Sequence, residues 1–240
     1  TENAGAGINL TCVTTPKFKR AVLRAMLVLP LGGEDAALRA CLPQVLRRGT
    51  ARLNNMQAFG TALDELYGAR IEAAVRKEGE NLCIGFLSDC IDEAYAPGAD
   101  GLTAGVIGLL CDLLYDPYLQ DGLFCAAYVE GERGNLIDRI AALKNDPRSW
   151  APRRLNEIMC ENEDYGKSAL GTIEQAERIT PETLYAAYRR ALSEAQVELF
   201  YCGTMMPDEV EAYFMDNAAG PAARGHAVSA AHGRAGATCR

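Results

Sequence analysis

Residues 38–50 read LRACLPQVLRRGT and carry the clearest structural signals of the chain. The apolar spacing within this stretch predicts a helix from about Glu34 to Arg47. Gly49 follows directly and is typical of a C-terminal cap. Pro43 lies inside the predicted helix, and because proline lacks an N–H and clashes with the preceding turn, we expect it to kink or restart the helix.

Extended and helical segments alternate on both sides of this stretch. Apolar alternation and turn residues predict strands at residues 8–13, 21–29, 71–76, 81–88 and 197–201. Helical spacing predicts further helices at residues 56–66, 102–115, 124–144, 147–160, 181–192 and 207–215. Strands that interleave with helices and include a hairpin indicate an α+β fold. We expect a mainly antiparallel sheet of about four to six strands, covered by helices.

Length and charge narrow the function classes. The chain has 240 residues and a formal net charge of −8. An acidic chain has no long-range attraction for phosphate backbones or anionic lipid, so neither nucleic acid nor a membrane is an expected partner. The longest apolar run is too short to span a bilayer, and no leader sequence is recognised. These features predict a cytoplasmic protein with a folded domain over residues 1–216 and a disordered, low-complexity tail over residues 217–240.

Histidine is scarce, which limits the available chemistry. The two histidines, His226 and His232, both lie in the predicted tail. Residues 1–225 therefore offer no imidazole as a general base or a metal ligand. The nine cysteines include no C-x-x-C pair and are interpreted as free thiols. No cofactor is expected, because neither a dinucleotide-binding nor a phosphate-binding glycine motif is present.

Six segments follow one another in an order that resembles the N-terminal half of the insulinase/pitrilysin family of zinc metallopeptidases. They are LRACLPQVLRRGT (38–50), LDELYGARI (63–71), LLYDPYLQDGLF (113–124), YVEGERGNLIDRI (128–140), ALGTIEQAERITPETLYAAYRR (169–190) and VELFYCG (197–203). The resemblance covers roughly residues 8–215 and implies the fold of one half of such a peptidase. It is strongest to the non-peptidase homologues of Gram-positive bacteria that are labelled as associated with elongation factor P modification.

The resemblance also implies where a zinc site would lie. In active family members, the helix before a Gly-Thr pair carries the inverted motif His-x-x-Glu-His. Placing that pair on Gly49–Thr50 puts the first His at Ala40, the Glu at Pro43 and the second His at Gln44. Glu132 in the long helix is the best match to the family's distal Glu ligand. A methyl group, a proline and an amide cannot replace two imidazoles and a carboxylate, so we expect neither metal binding nor catalysis.

Three functions remain open on this basis. The first is a catalytically inactive partner subunit, paired with an active homologue or with a second half, that helps to enclose a peptide or an unfolded protein. In the family, extended peptide binds at a sheet edge, and main-chain hydrogen bonds there need no zinc. The second function is a stand-alone protein-binding module. The third is a metallopeptidase that uses unusual ligands.

Overall fold

The computed structural model of the chain describes residues 7–31, 35–96, 98, 100–218 and 227–231. The strands are β1 (Gly7–Thr14), β2 (Arg20–Pro30), β3 (Arg70–Glu78), β4 (Asn81–Ile91), β5 (Leu119–Gln120), β6 (Leu123–Phe124), β7 (Gln196–Gly203) and β8 (Ala227–Ala231). The α-helices are α1 (Ala36–Leu46), α2 (Met56–Glu65), α3 (Leu102–Tyr115), α4 (Ala126–Ala142), α5 (Pro147–Met159), α6 (Ile173–Glu177), α7 (Pro181–Glu194) and α8 (Pro207–Ala218). Short 3-10 turns follow β4, α4 and α5.

Six strands form the main sheet of the described residues, in the order β3-β4-β2-β7-β1-β8. The pairs β3–β4, β4–β2 and β2–β7 are antiparallel, whereas β1 is parallel to both β7 and β8. The predicted α+β fold with a mainly antiparallel sheet is therefore confirmed. The hairpin β3–β4 ends the order, so β3 has one neighbouring strand among the described residues.

One face of the sheet carries the hydrophobic core. Alternate residues of β2, such as Leu23 and Leu27, lie in the same buried cluster as Phe86 of β4, Leu42 of α1 and Leu110 of α3. Helices α7 and α8 contribute further buried side chains to this cluster. The opposite face carries a smaller cluster built on Met26, Ala74 and Cys83. The period of two along each strand separates these faces, as the alternation in the sequence predicted.

Helix starts agree well with their sequence signals. Thr180 caps α7 by accepting a hydrogen bond from the backbone N–H of Thr183, and Pro181 occupies the first turn. Asp146 caps α5 in the same manner, by accepting from the N–H of Arg148. None of the helices in the described ranges is both long and apolar enough to cross a lipid bilayer.

Three local features differ from what the sequence predicted. Pro43 does not restart the helix, because α1 is a single helix from Ala36 to Leu46. Gly49 is not the C-terminal cap, because Arg47 follows the helix directly. The tail is not wholly without structure, since Ala227–Ala231 pairs with β1 as β8. Backbone hydrogen bonding to β1 supplies the order that the small side chains could not predict.

Residues 219–226 and 232–240 of the predicted tail, including His226 and His232, lie outside the described residues, whereas Asn217 and Ala218 belong to α8. The strands β5 and β6 and the helix α6 were not predicted either. Each is between two and five residues long, which is too short for a periodic pattern to be recognised.

Candidate functional site

Helices α1 and α4 pack together and enclose a cavity of about 470 Å³, here called the motif cavity. Its lining residues are Ala40, Gln44, Glu132, Asn135, Leu136, Asp138 and Arg139. Helix α1 supplies the first two of these residues and α4 supplies the rest. The cavity therefore lies between two helices that are far apart in the sequence.

The structure brings together three of the four residues that the sequence singled out. Ala40, Gln44 and Glu132 all line the motif cavity. Ala40 is fully buried, and Gln44 is partly exposed. Pro43 is buried on α1 but does not line this cavity. Ala40 and Gln44, which the alignment on Gly49–Thr50 singled out, thus line the same cavity as the Glu132 carboxylate.

The Glu132 carboxylate is held by other side chains. Its Oε1 accepts a hydrogen bond from the Nε of Arg48 at 2.6 Å, and the Nη2 of Arg48 contacts the same oxygen. Its Oε2 accepts from the Nδ2 of Asn135 at 3.1 Å. The side chain of Glu132 is 8% exposed, whereas that of Arg48 is 32% exposed. A buried carboxylate thus has a cationic partner on one oxygen and an amide on the other.

Arg48 is itself positioned by its surroundings. It follows α1 closely in the chain, and its guanidinium carbon lies 6.0 Å from the centroid of the Tyr128 ring on α4. A guanidinium near an aromatic face is stabilised by the quadrupole of the ring. Sequence reasoning missed Arg48 because an Arg-Arg pair near the end of a helix is also typical of a solvated terminus. The resemblance had singled out Glu132 in the sequence, but nothing there indicated that Arg48 is its partner.

The residues of the motif cavity do not fit zinc. A zinc site needs three or four nitrogen, sulfur or carboxylate ligands, and no such group of three occurs anywhere in the described residues. Cys41 lies on α1 near Glu132, but burial, reinforced by the charge of that carboxylate, raises the pKa of its thiol to about 12. The thiolate is the form that binds a metal, and these surroundings disfavour it. The Arg48 guanidinium further opposes a cation at the Glu132 oxygens.

The Gly-Thr pair after α1 has a packing role. A Cβ on Gly49 would lie 2.7 Å from the carbonyl oxygen of Leu53, so no side chain fits there. Thr50 is fully buried, and its Oγ1 accepts a hydrogen bond from the backbone N–H of Leu53 at 3.0 Å. Thr50 also forms an isolated β-bridge with Pro117. This tight turn fixes where α1 ends and hence where Arg48 lies.

A second candidate feature is the sheet edge at β3. Its neighbour β4 pairs with the whole length of β3, which leaves the other side of β3 without a strand among the described residues. An edge of this kind presents backbone N–H and C=O groups to a further strand. The start of β3 lies close to the end of α1, since the Nε of Arg47 donates a hydrogen bond to the carbonyl of Ile71 at 2.7 Å.

Comparison with known proteins identifies one curated relative. A protein of Bacillus subtilis (strain 168), named probable inactive metalloprotease YmfF, is 32% identical over 205 residues. The match covers 85% of this chain and 48% of the relative, so the chain spans about half of the relative's length. No family model matches the chain.

Solved structures give the same architecture. A conserved protein from Enterococcus faecalis V583 matches with a TM-score of 0.82 and 24% identity, over 89% of this chain and 50% of that one. The peptidase M16 inactive domain from Pseudomonas fluorescens matches with a TM-score of 0.65 and 15% identity, over 91% and 49%. Pitrilysin matches with a TM-score of 0.61 and 14% identity, over 86% and 21%. At these identities the likeness establishes the fold alone.

Proposed function

The chain is an insulinase/pitrilysin-like domain, as its sequence predicted, and we propose that it is a catalytically inactive partner that binds extended peptide. The proposed lack of catalysis rests on one observation: Glu132 is paired with Arg48, and Ala40 and Gln44 line the same cavity. Hydrolysis by this family requires a metal that activates water. The carboxylates that line this cavity are Asp138 and the already paired Glu132, which are too few to form a ligand set. Its name also describes the Bacillus subtilis relative as inactive.

The free edge of β3 supports the proposed binding of extended peptide. Strand β3 is nine residues long and is unpaired on one side among the described residues. An extended peptide that adds to such an edge gains main-chain hydrogen bonds whatever its sequence is. Binding of this kind needs no metal, so it can persist where the zinc motif is lost.

A second half or a homologous active subunit is the proposed partner. The chain spans 48% of the Bacillus subtilis relative and 50% of the Enterococcus faecalis protein, so each relative has about as much chain again. In this arrangement the described domain binds the peptide on one side, and the second half or the partner subunit encloses it from the other side. The predicted cytoplasmic location and the predicted link to elongation factor P modification stay predictions.

The test combines binding with a readout of cleavage. The chain is incubated with an unstructured fluorescent peptide, and binding is measured by fluorescence anisotropy. Mass spectrometry of the recovered peptide then shows whether it has been cleaved. With the chain alone we expect saturable binding and an intact peptide. We expect stronger binding after addition of the homologous subunit that carries His-x-x-Glu-His, with a chelator present so that this subunit cannot cleave the peptide. Cleaved peptide in the sample that lacks this subunit would favour a metallopeptidase with unusual ligands. Binding that the homologue leaves unchanged would favour a stand-alone module.

A further inference from the structure

A groove with an unusual concentration of positive charge runs beside the β3 edge. Its volume is about 480 Å³, and it lies on the helical side of the sheet. Strand β3 contributes Val75 and Lys77 to its wall, α4 contributes Arg139, and α5 contributes Arg153. Lys167 lies on the loop that closes it. We call the surface formed by Lys77, Arg139, Arg153 and Lys167 the basic groove.

The cations of this groove are incompletely neutralised. Glu157 is the one carboxylate among the residues that line it, and it lies 3.5 Å from Arg153. Lys167 pairs with Asp164 at 2.5 Å, outside the lining. Arg139 is exposed and has no hydrogen-bond or ion-pair partner within the described part of the chain. The local charge is therefore positive on a chain whose formal net charge is −8.

Lys77 is fixed at the end of the groove next to the edge. Its ammonium donates hydrogen bonds to the carbonyls of Tyr165 and Lys167, and it lies 4.0 Å from the centroid of the Tyr165 ring. Burial, followed by the charge of Arg153, lowers the pKa of Lys77. A carboxylate arriving from outside the chain would oppose both effects, because a nearby anion favours the charged form of Lys77.

The groove is continuous with its neighbours. Arg139 also lines the motif cavity, and Arg153, Glu157 and Lys167 also line a larger cavity of about 670 Å³ that extends to Trp150. A peptide strand added to β3 would direct alternate side chains toward this row of cations. Side chains at positions i and i+2 of a strand are about 6.6 Å apart, so several could enter the same groove.

We propose that the basic groove selects extended peptides that carry carboxylates at alternate positions, and that β3 binds their backbone. The proposal deepens the proposed function and rests on peptide binding at β3. The overall negative charge of the chain repels an acidic peptide at long range. The preference must therefore come from short-range contacts inside the groove, and it falls when salt screens them.

The test uses the 240-residue chain and three matched fluorescent peptides. Each peptide alternates threonine with one other residue, which is glutamate, glutamine or lysine. We expect the glutamate peptide to bind about tenfold or more tightly than the glutamine peptide, since charge-assisted hydrogen bonds are the stronger ones. The same glutamate peptide with an N-methyl group on every residue should bind weakly, because neither of its edges can then donate hydrogen bonds to β3.

Variants locate the preference on the molecule. Arg139→Glu should abolish the advantage of the glutamate peptide over the glutamine peptide. Arg189→Glu makes the same change of charge on an exposed arginine of α7, away from the groove, and should leave the preference intact. Arg139→Gln serves as a milder variant should the reversal disturb folding.

The outcomes separate this proposal from the one on which it rests. Equal binding of the glutamate and glutamine peptides, or a preference for lysine, overturns the charge selection while peptide binding stands. Unchanged affinity of the N-methylated peptide overturns the role of β3. Failure of all three peptides to bind overturns peptide binding itself.

Discussion

Arg48 and Glu132 form an ion pair whose two ends differ in their access to water. Glu132 is 8% exposed and Arg48 is 32% exposed. Removing Arg48 leaves a buried carboxylate with only the Asn135 amide, whereas removing the charge of Glu132 leaves a guanidinium that water can reach. We expect Arg48→Gln to lower the free energy of unfolding by about 3 kcal/mol and Glu132→Gln by about 1 kcal/mol. Urea denaturation measures both.

An exposed pair gives the matched control. Arg52 pairs with Asp112 at 2.8 Å, but its side chain is 69% exposed. Arg52→Gln should cost about 0.5 kcal/mol or less, as is usual for surface pairs. Equal losses for Arg48→Gln and Glu132→Gln would contradict the asymmetry that burial implies.

The same pair governs whether a metal site can be rebuilt. Ala40→His, Pro43→Glu and Gln44→His together restore the motif that the resemblance places on α1. We expect this triple variant to bind zinc poorly, because Arg48 still occupies the Glu132 oxygens. Adding Arg48→Ser should strengthen zinc binding by about tenfold or more, since a cation adjacent to the ligand is removed. Competition against a chromophoric chelator measures the affinities, and equal values would refute this role of Arg48.

At the scale of elements, Gly171 in the loop before α6 should tolerate a side chain less well than Gly122 between β5 and β6. Gly171 has φ +73°, and a Cβ there would lie 2.7 Å from the backbone nitrogen of Ala37 on α1. Gly122 has φ +81° and open space around it. Gly122→Ala should therefore cost about 1 kcal/mol from backbone strain alone. Gly171→Ala should cost about 3 kcal/mol, because α1 must also move. Thermal unfolding checks the ranking, and similar costs would contradict it.

Elements with strong local signals were predicted from sequence, and long-range contacts were not. The apolar run Leu102–Tyr115 and the Thr180-Pro181 start both match their helices. Helix α1 was predicted, but its unbroken course through Pro43 was not, because the burial of this helix against the core outweighs the disruption that the proline causes. Local patterns of the chain could not reveal the partner of Glu132, which lies 84 residues away.

The candidate site was predictable only in part for the same reason. Ala40 and Gln44 were singled out because the resemblance sets the family's Gly-Thr pair on Gly49–Thr50. The basic groove joins β3, α4, α5 and a loop, so its positive charge exists only in the folded chain. In the sequence these cations are scattered among acidic residues and resemble an ordinary solvated surface.

At the scale of the whole molecule, buried thiols make stability depend on pH. Burial raises the pKa from 9.0 to about 11 in Cys12 and Cys90 and to about 12 in Cys41 and Cys111. Between these values the unfolded chain releases protons that the native chain retains. Stability is therefore full below pH 9 and falls as the pH rises toward 11, by up to about 1.4 kcal/mol per pH unit for each thiol.

Urea denaturation in the presence of a reductant, repeated at pH 7, 9 and 10.5, measures this dependence. A variant that combines Cys41→Ala with Cys111→Ala should show a shallower fall above pH 9, whatever its stability at neutral pH. An identical slope in the variant and the parent would show that these thiols are not responsible.

We propose that the Arg48–Glu132 ion pair of this peptidase-like fold lies where the resemblance places a zinc site. The most direct measurement is the zinc content of the purified chain, together with cleavage of an unstructured peptide before and after treatment with a chelator. We predict far less than one zinc per chain and no cleavage under either condition. Stoichiometric zinc with cleavage that the chelator abolishes would contradict the account.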